Sequence, residues 1–489
     1  MKTTNAAPPN RTSQTVTNLI IAAPEPHGSS QLYVNDSNHG TNMADILIVG
    51  DEVAPVAESE TAVGAAALGR ALSAAKHKVT MLTLASEERA TRLPGMARRL
   101  RTVLARLADG DRECSLFEGR SAISQCALHV LGVEPIDRGH GAAFLASAAS
   151  ALVRDEICRP DAIIAWGEAA AAVLPAIQST SRVFVLPTGT WGPPLSAAER
   201  AALDPNAPDL AMAKGSLAGL GAIDADVVVF PSPSSARSFA GAREFSFRAS
   251  DQPVVSIRFG CDEAPCDPST DPALAAKFSA DAPAGKADCR KALARRTSLA
   301  LGRRTLLVAT APLAIAEGGR VLIDAISKLV RSDVAFVVPG IGERALVEEI
   351  KRIAIETPGK IAIYPETGPS AERQILAGAD VLLLADKDNH LARTAGLAMR
   401  YATLPLVPDC AAYADHMVDY DVASQTGNSL LYRPDDAYEH VSVVLRAAGL
   451  RGNPDVWQPL QNRLLLAAPH WAATAALFES LCFTPPASA

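Results

Sequence analysis

The side chains best suited to chemistry gather in Lys387-Asp388-Asn389-His390-Leu391-Ala392-Arg393-Thr394. An imidazole next to a carboxylate can move a proton, so His390 is a candidate acid or base; an exposed loop histidine is its plainer reading. Lys387 and Arg393 are cations that could meet a phosphate or simply face solvent. Gly340-x-Gly342-Glu343 follows an apolar run, where paired glycines either let a backbone approach a phosphate or make an ordinary strand-to-helix turn. Glu52 ends the first apolar run and could touch substrate or cap the helix that follows. Trp166 and Trp191 could stack on a sugar ring or pack between domains. The eight cysteines, 114, 126, 158, 261, 266, 289, 410 and 482, have no CxxC spacing. Cys261 and Cys266 are the closest pair and have no histidine near them, so the expectation is small buried hydrophobes in a reducing cytosol and no metal.

These residues need elements to hold them. Ile46-Leu47-Ile48-Val49-Gly50 is continuously apolar, as a strand buried on both faces should be. An Ala-rich segment, about Val63 to Lys76, and a second strand, Lys78 to Leu84, complete a βαβ unit and require a parallel sheet. Similar strands recur at Ala162–Ala165, Arg182–Leu186 and Asp226–Phe230. After a Pro/Asp-rich stretch around 262–285 a second series runs through Thr305–Ala309, Val334–Val338, Lys360–Tyr364, Val381–Leu384 and Leu404–Val407. Two doubly wound α/β domains in tandem are expected, with any ligand in the cleft at the carboxyl ends of the sheets.

Composition agrees with this. A chain of 489 residues exceeds one core, and 48% hydrophobic with 20% charged residues suits a globular protein. A net charge of -7, with basic residues scattered, gives no reason to expect a nucleic-acid partner. No apolar run reaches the ~18 residues of a membrane span. Residues 1–43 are rich in Asn, Ser, Thr and Pro and read as a disordered extension without a basic signal-peptide region, so a cytoplasmic location is expected. The division is 1–43, then a first Rossmann-like domain at 44–252 joined by a C-terminal helix at 470–485, and a second at 253–469.

Residues 260–293 carry more specific strings. Asp262, Asp267-Pro268, Asp271-Pro272, Phe278-Ser279 and Gly285-Lys286 resemble the glycogen and starch synthase segment Gly-Ile-Asp, Trp-Asp-Pro-x-x-Asp-Pro, Tyr-Ser, Gly-Lys, with Cys266 where Trp is usual. In order along the chain, Asp51-Glu52-Val53-Ala54-Pro55, Ala225-Asp226 to Ser232-Pro233, Ala377-Gly378-Ala379-Asp380, Arg400-Tyr401-x-Thr403-x-Pro405, Asp419-Tyr420-Asp421 with Thr426-Gly427, and His470-Trp471 are similar to further family strings. The resemblance covers roughly 44–485 and implies the GT-B fold, two Rossmann-like domains facing across a cleft. The family transfers glucose from ADP-glucose to an α-1,4-glucan with retention and without a metal.

The same correspondence exposes losses. The family's Lys-Thr-Gly-Gly-Leu donor loop stands here as Ala57-Glu58-Ser59-Glu60-Thr61-Ala62, with no glycine pair and no cation. Pro312 occupies the family's Arg position and Glu317 its Lys position. The sugar-holding Glu falls at Asn389, with Thr394 the motif residue retained. The His-x-His-Asp-Trp motif reads Ile164-Ala165-Trp166-Gly167-Glu168, and the late Gly-Gly reads Ala411-Ala412. A unit charge ~4 Å from a phosphate oxygen is worth about 4 kcal/mol at an effective dielectric near 20, so replacing Lys by Glu swings the site by about 8 kcal/mol. Pro312, Glu317, Asn389 and Trp166 are therefore not competent for transfer. Glu52, Gly340, Gly342, His390, Arg393 and Thr394 remain as candidate substrate contacts. The expectation is an inactive or impaired homologue acting as a glucan-binding or regulatory protein. Its partners would be glycogen, another α-glucan or an active synthase paralogue, with no cofactor beyond an ADP-glucose donor. The alternative is a hexosyltransferase with a changed donor and a rebuilt phosphate site.

Overall fold

The computed structural model describes residues 19–21, 43–57, 59–105, 107, 110–134, 137–177, 179, 181–189, 192–203, 216–241, 253–261, 266–314, 318–386, 392–434 and 436–483. The first sheet runs edge to edge through Leu19–Ile21, Val254–Ser256, Val227–Phe230, Ser181–Val185, Ala162–Trp166, Asp45–Gly50, Lys78–Ala85, Ala127–Gly132, Arg112–Arg120 and Met96–Arg98. Its central strands are parallel, with Ile48 opposite Met81 on one side and Ile164 on the other. Buried clusters lie on both faces, which is why these strands read as unbroken apolar runs. An antiparallel edge, Arg112–Arg120 against Ala127–Gly132 and Met96–Arg98, has no counterpart in the sequence reading. Its strands carry Arg, Glu and His among the apolar residues, so periodicity did not mark them.

The second sheet has the order Ile361–Tyr364, Val334–Pro339, Leu306–Thr310, Val381–Leu383, Leu404–Pro408, Leu430–Tyr432, all parallel. Numbered along this domain, that is the 3-2-1-4-5-6 order of a doubly wound fold. Both domains are thus of the expected class.

Two boundaries differ in detail. Val254–Ser256, placed by the division at 252/253 in the second domain, is a strand of the first sheet, paired with Val228, Val229 and Phe230. Leu19–Ile21, within the stretch that composition assigns to a disordered extension, pairs in parallel with Val254–Ser256. The rest of that expectation, up to residue 42, lies outside the described residues.

The chain returns to the first domain at its last helix. Pro454–Phe483 is apolar enough on average for a membrane span, but it breaks at 468–470 into helices of 14 and 13 residues, each shorter than a bilayer needs. Trp471, Ala475, Phe478 and Cys482 of the second helix are buried in a core of the first domain. His77 Nε2 lies 2.8 Å from Glu479 Oε1 and stacks on Phe483 with ring centroids 5.5 Å apart. All eight cysteines lie outside any disulfide; seven are buried, as small hydrophobes would be, and Cys410 is half-buried.

Candidate functional site

Two cavities open at the carboxyl ends of the sheets. The larger has a volume of about 540 Å³. The first domain lines it with Ala54, Pro55, Ala57 and Val63, and the second with Thr310-Ala311-Pro312, Ile341, the 367–369 turn and Thr394. It lies where the resemblance puts the sugar-nucleotide donor, because Pro312 and Thr394 are both in its wall. Among the described residues lining it there is no Lys, Arg or His, and the charged ones are Glu366 and Glu372. Arg296 Nε donates to Glu366 Oε2 at 3.0 Å, and this bond holds the Glu366 carboxyl below the usual range. A nucleotide diphosphate here would meet proline, alanine and isoleucine with carboxylates at the rim, the reverse of what a departing diphosphate needs.

The glycine pair beside this cavity has a backbone explanation. Gly342 has φ +141 and forms a parallel bridge with Leu313, and a Cβ on it would lie 2.6 Å from the Leu313 carbonyl oxygen. Glu343 N donates to that same oxygen at 2.7 Å. Gly340 is pressed against the Tyr364 carbonyl, where a Cβ would come to 2.8 Å. Two loops interlock through these glycines. Glu52 accepts a hydrogen bond from Ser59 Oγ, and Ser59 accepts from Ala62 N at 3.1 Å as the N-cap of helix Glu60–Ala74. The cap of this helix is thus Ser59, and Glu52 reaches the helix only through the Ser59 hydroxyl. Arg344 is exposed at the first position of helix Arg344–Glu356.

The smaller cavity, about 290 Å³, lies between the domains. Trp166, Phe259 and Trp471 form one wall, with Arg258, Arg393 and His416 also lining it. Trp166 is fully buried. Its Nε1 donates to the Thr61 carbonyl at 3.0 Å, and its ring lies 5.1 Å from Phe259 and 6.5 Å from Phe478. The indole thus fills the place the resemblance gives to a histidine, and packs one domain against the connecting segment and the last helix. The second domain is latched nearby. His416 Nε2 sits 3.0 Å from the Pro231 carbonyl, and Ser234 N donates to Asp415 Oδ2 at 2.7 Å. Burial pushes the His416 imidazole down to about 4, aided by the charge of Arg258 and opposed by Asp415.

Sequence reasoning passed over one further group at this end of the sheet. Asp51 follows the first strand, and its carboxylate accepts from Ala170 N at 2.7 Å and Ala169 N at 3.0 Å. Gly167, at φ +103, makes room, since a Cβ there would lie 2.5 Å from Asp51 Oδ2. Burial raises the Asp51 carboxyl to about 7 against the pull of those two amides. The Gly50-Asp51-Glu52 string was the available signal, but it marked the family's opening rather than a buried acid.

The residues that carry the resemblance behave differently from those that are lost. Asp271 Oδ2 accepts from Arg373 Nε at 2.9 Å and from the Tyr401 hydroxyl at 2.6 Å. Lys286 Nζ donates to the carbonyls of Leu376 and Tyr401 and to Thr403 Oγ1 at 2.9, 2.7 and 2.7 Å. Asp380 receives Arg290 Nε at 3.1 Å and Leu307 N at 2.8 Å. All are buried inside the second domain, so the retained positions hold the scaffold. Asp262, Glu58, Trp191, Glu317 and residues 387–391, including Lys387, Asn389 and His390, lie outside the described residues, as does the side chain of Glu60.

No protein-family model matches the chain. Among curated proteins it is 26% identical over 277 residues to the glycogen synthase of Halorhodospira halophila, covering 56% of this chain and 57% of that one. It is 27% identical over 259 residues to the glycogen synthase of Lacticaseibacillus casei, covering 52% and 54%. The chain thus spans about half the length of the curated relatives it matches. Among solved structures, the catalytic domain of starch synthase IV from Arabidopsis thaliana, bound to ADP and acarbose, superposes with a TM-score of 0.77 at 19% identity over 90% of this chain and 99% of that one. Sucrose-phosphate synthase from Thermosynechococcus elongatus gives 0.58 at 13%, over 90% and 98%. The fold is GT-B, and the chain is similar to the glycogen and starch synthases.

Proposed function

We propose that this protein is a glycogen-synthase-like GT-B protein that has given up glucosyl transfer from ADP-glucose and acts as a glucan-binding or regulatory partner. One observation carries the reading: the described wall of the donor-equivalent cavity holds Pro312 and Glu366 and no cation. A retaining transfer from a nucleotide sugar gains most of its rate from positive charge and N–H dipoles aimed at the leaving diphosphate. The Arg and Lys positions of the family pattern read Pro312 and Glu317 here, and the sugar-holding Glu reads Asn389. Trp166 supports the same reading, because a fully buried indole hydrogen-bonded to Thr61 leaves no imidazole to meet the sugar. The buried network of Asp271, Lys286 and Asp380 keeps the fold while the chemistry is absent.

A second reading, transfer from a changed donor, draws on Arg258 and Arg393 in the smaller cavity. The deciding experiment incubates purified protein with radiolabelled ADP-glucose or UDP-glucose and glycogen. Incorporation of label above a protein-free blank sinks the first reading. No incorporation, together with co-sedimentation of the protein with glycogen, supports it.

A further inference from the structure

Arg258 stands out among the charged side chains of the interdomain cavity. It follows the last strand of the first sheet, and its guanidinium lines the cavity without a hydrogen-bond or ion-pair partner among the described residues. Burial pulls its pKa down, and among nearby groups the Cys261 thiol is the one favouring the charged form. An enclosed cation ordinarily has an anion beside it, because nothing else offsets the water it has lost. None of the described residues lining this cavity is Asp or Glu. The other polar groups there point the same way. Arg393 contributes a second guanidinium from helix Ala392–Arg400. Ser59 and Thr61 bring the N-terminal end of the 15-residue helix Glu60–Ala74, whose dipole favours negative charge. His416 is neutral at ordinary pH and neither supplies nor removes charge.

Beside these cationic groups the wall is aromatic. Phe259 and Trp471 are stacked at 5.9 Å, and Trp166 lies behind Phe259. A volume of about 290 Å³ suits a molecule of monosaccharide size, too small for a nucleotide sugar.

From these contacts we infer that the interdomain cavity is a binding site for a small oxyanion on a compact ring, a phosphorylated or carboxylated monosaccharide, with Arg258 as its principal anchor. The ligand would touch both domains, Arg258 from the first and Arg393 from the second, so its occupancy would tie them together across the cavity. The site adjoins the donor-equivalent cavity, since Ser59 and Thr61 stand in the donor-loop stretch and Arg393 precedes Thr394, and the inference stands whether or not the protein transfers sugar.

Isothermal titration of the full chain tests this with inorganic phosphate, glucose 1-phosphate and glucuronate, and with glucose as the neutral control. The expected result is saturable binding of at least one anion, none of glucose, and weakening of about tenfold or more in R258Q, with partial recovery in R258K. Whether phosphate or carboxylate is preferred follows from the two sugar arms. Circular dichroism and thermal melting of R258Q establish that it is folded. Should R258Q not fold, R393Q takes its place, with the same weakening expected. Lack of binding of all three anions at about 10 mM, or affinities unchanged in a folded R258Q, overturns the proposal.

Discussion

Trp166 Nε1 donates to the Thr61 carbonyl at 3.0 Å, joining the end of a central strand to the first turn of the first long helix. The bond places a fully buried indole between the first domain, Phe259 and Phe478. Where the synthase pattern has a histidine, this chain has a packing element.

Truncating that element should be costly. Trp166→Ala leaves a cavity against Gly64, Phe259 and Phe478, and about 3–5 kcal/mol of stability should be lost in urea unfolding. Trp166→Phe keeps most of the packing and loses the hydrogen bond, for about 1 kcal/mol. Equal stability of the alanine variant and the parent would refute the packing role.

Restoring the cations should restore part of the donor site. The double variant P312R/E317K returns guanidinium and ammonium groups to the family positions. ADP should bind it at least about tenfold more tightly than the parent, for which a dissociation constant weaker than about 1 mM is expected by titration calorimetry. A parent that binds ADP in the micromolar range contradicts the proposed loss of the donor site.

The retained acidic residue should be structural. Asp271 is fully buried and accepts from Arg373 and the Tyr401 hydroxyl. Asp271→Ala strands a buried guanidinium and should cost about 3–5 kcal/mol. Tyr401→Phe removes one bond to a charged acceptor and should cost about 1.5–3 kcal/mol. Both are read from chemical denaturation, and a change under about 0.5 kcal/mol in either would place the network outside the cooperative core.

Acid should weaken the domain latch. His416 is neutral in the folded chain down to about pH 4, whereas an unfolded histidine binds its proton near 6.5. Between those values the unfolded state holds the extra proton, so stability falls as pH drops through this window, by up to about 3 kcal/mol. Asp51 acts oppositely: its carboxyl is raised to about 7, so its contribution grows as pH falls from there toward 4. Comparing His416→Gln with the parent at each pH isolates the latch. The difference between them should shrink steadily from pH 6.5 to 4.5, and parallel curves would disprove the assignment.

Much of the architecture was legible in the residues themselves. Ile46-Leu47-Ile48-Val49 and Val334-Ala335-Phe336-Val337 are doubly buried parallel strands, and such strands leave continuous apolar runs that need no context to recognise. The antiparallel edge at Arg112–Arg120 was not legible, since a partly exposed strand mixes residue types and weakens the period. Val254–Ser256 was misplaced because only three residues pair, and hydrogen bonding to Val228–Phe230 rather than sequence position assigns it to the first sheet.

The site divided along the same line. Sequence alone determined which residues stand at the matched motif positions, because the presence or absence of a Lys or a Gly at a matched position is a covalent fact. It could not decide what fills the space. That Gly340 and Gly342 serve loop packing, that Trp166 is a buried wall, and that Arg258 faces His416 across an interdomain cavity all depend on contacts between segments far apart in the chain. Burial and charge pairing are properties of those contacts, so only the tertiary structure settles them.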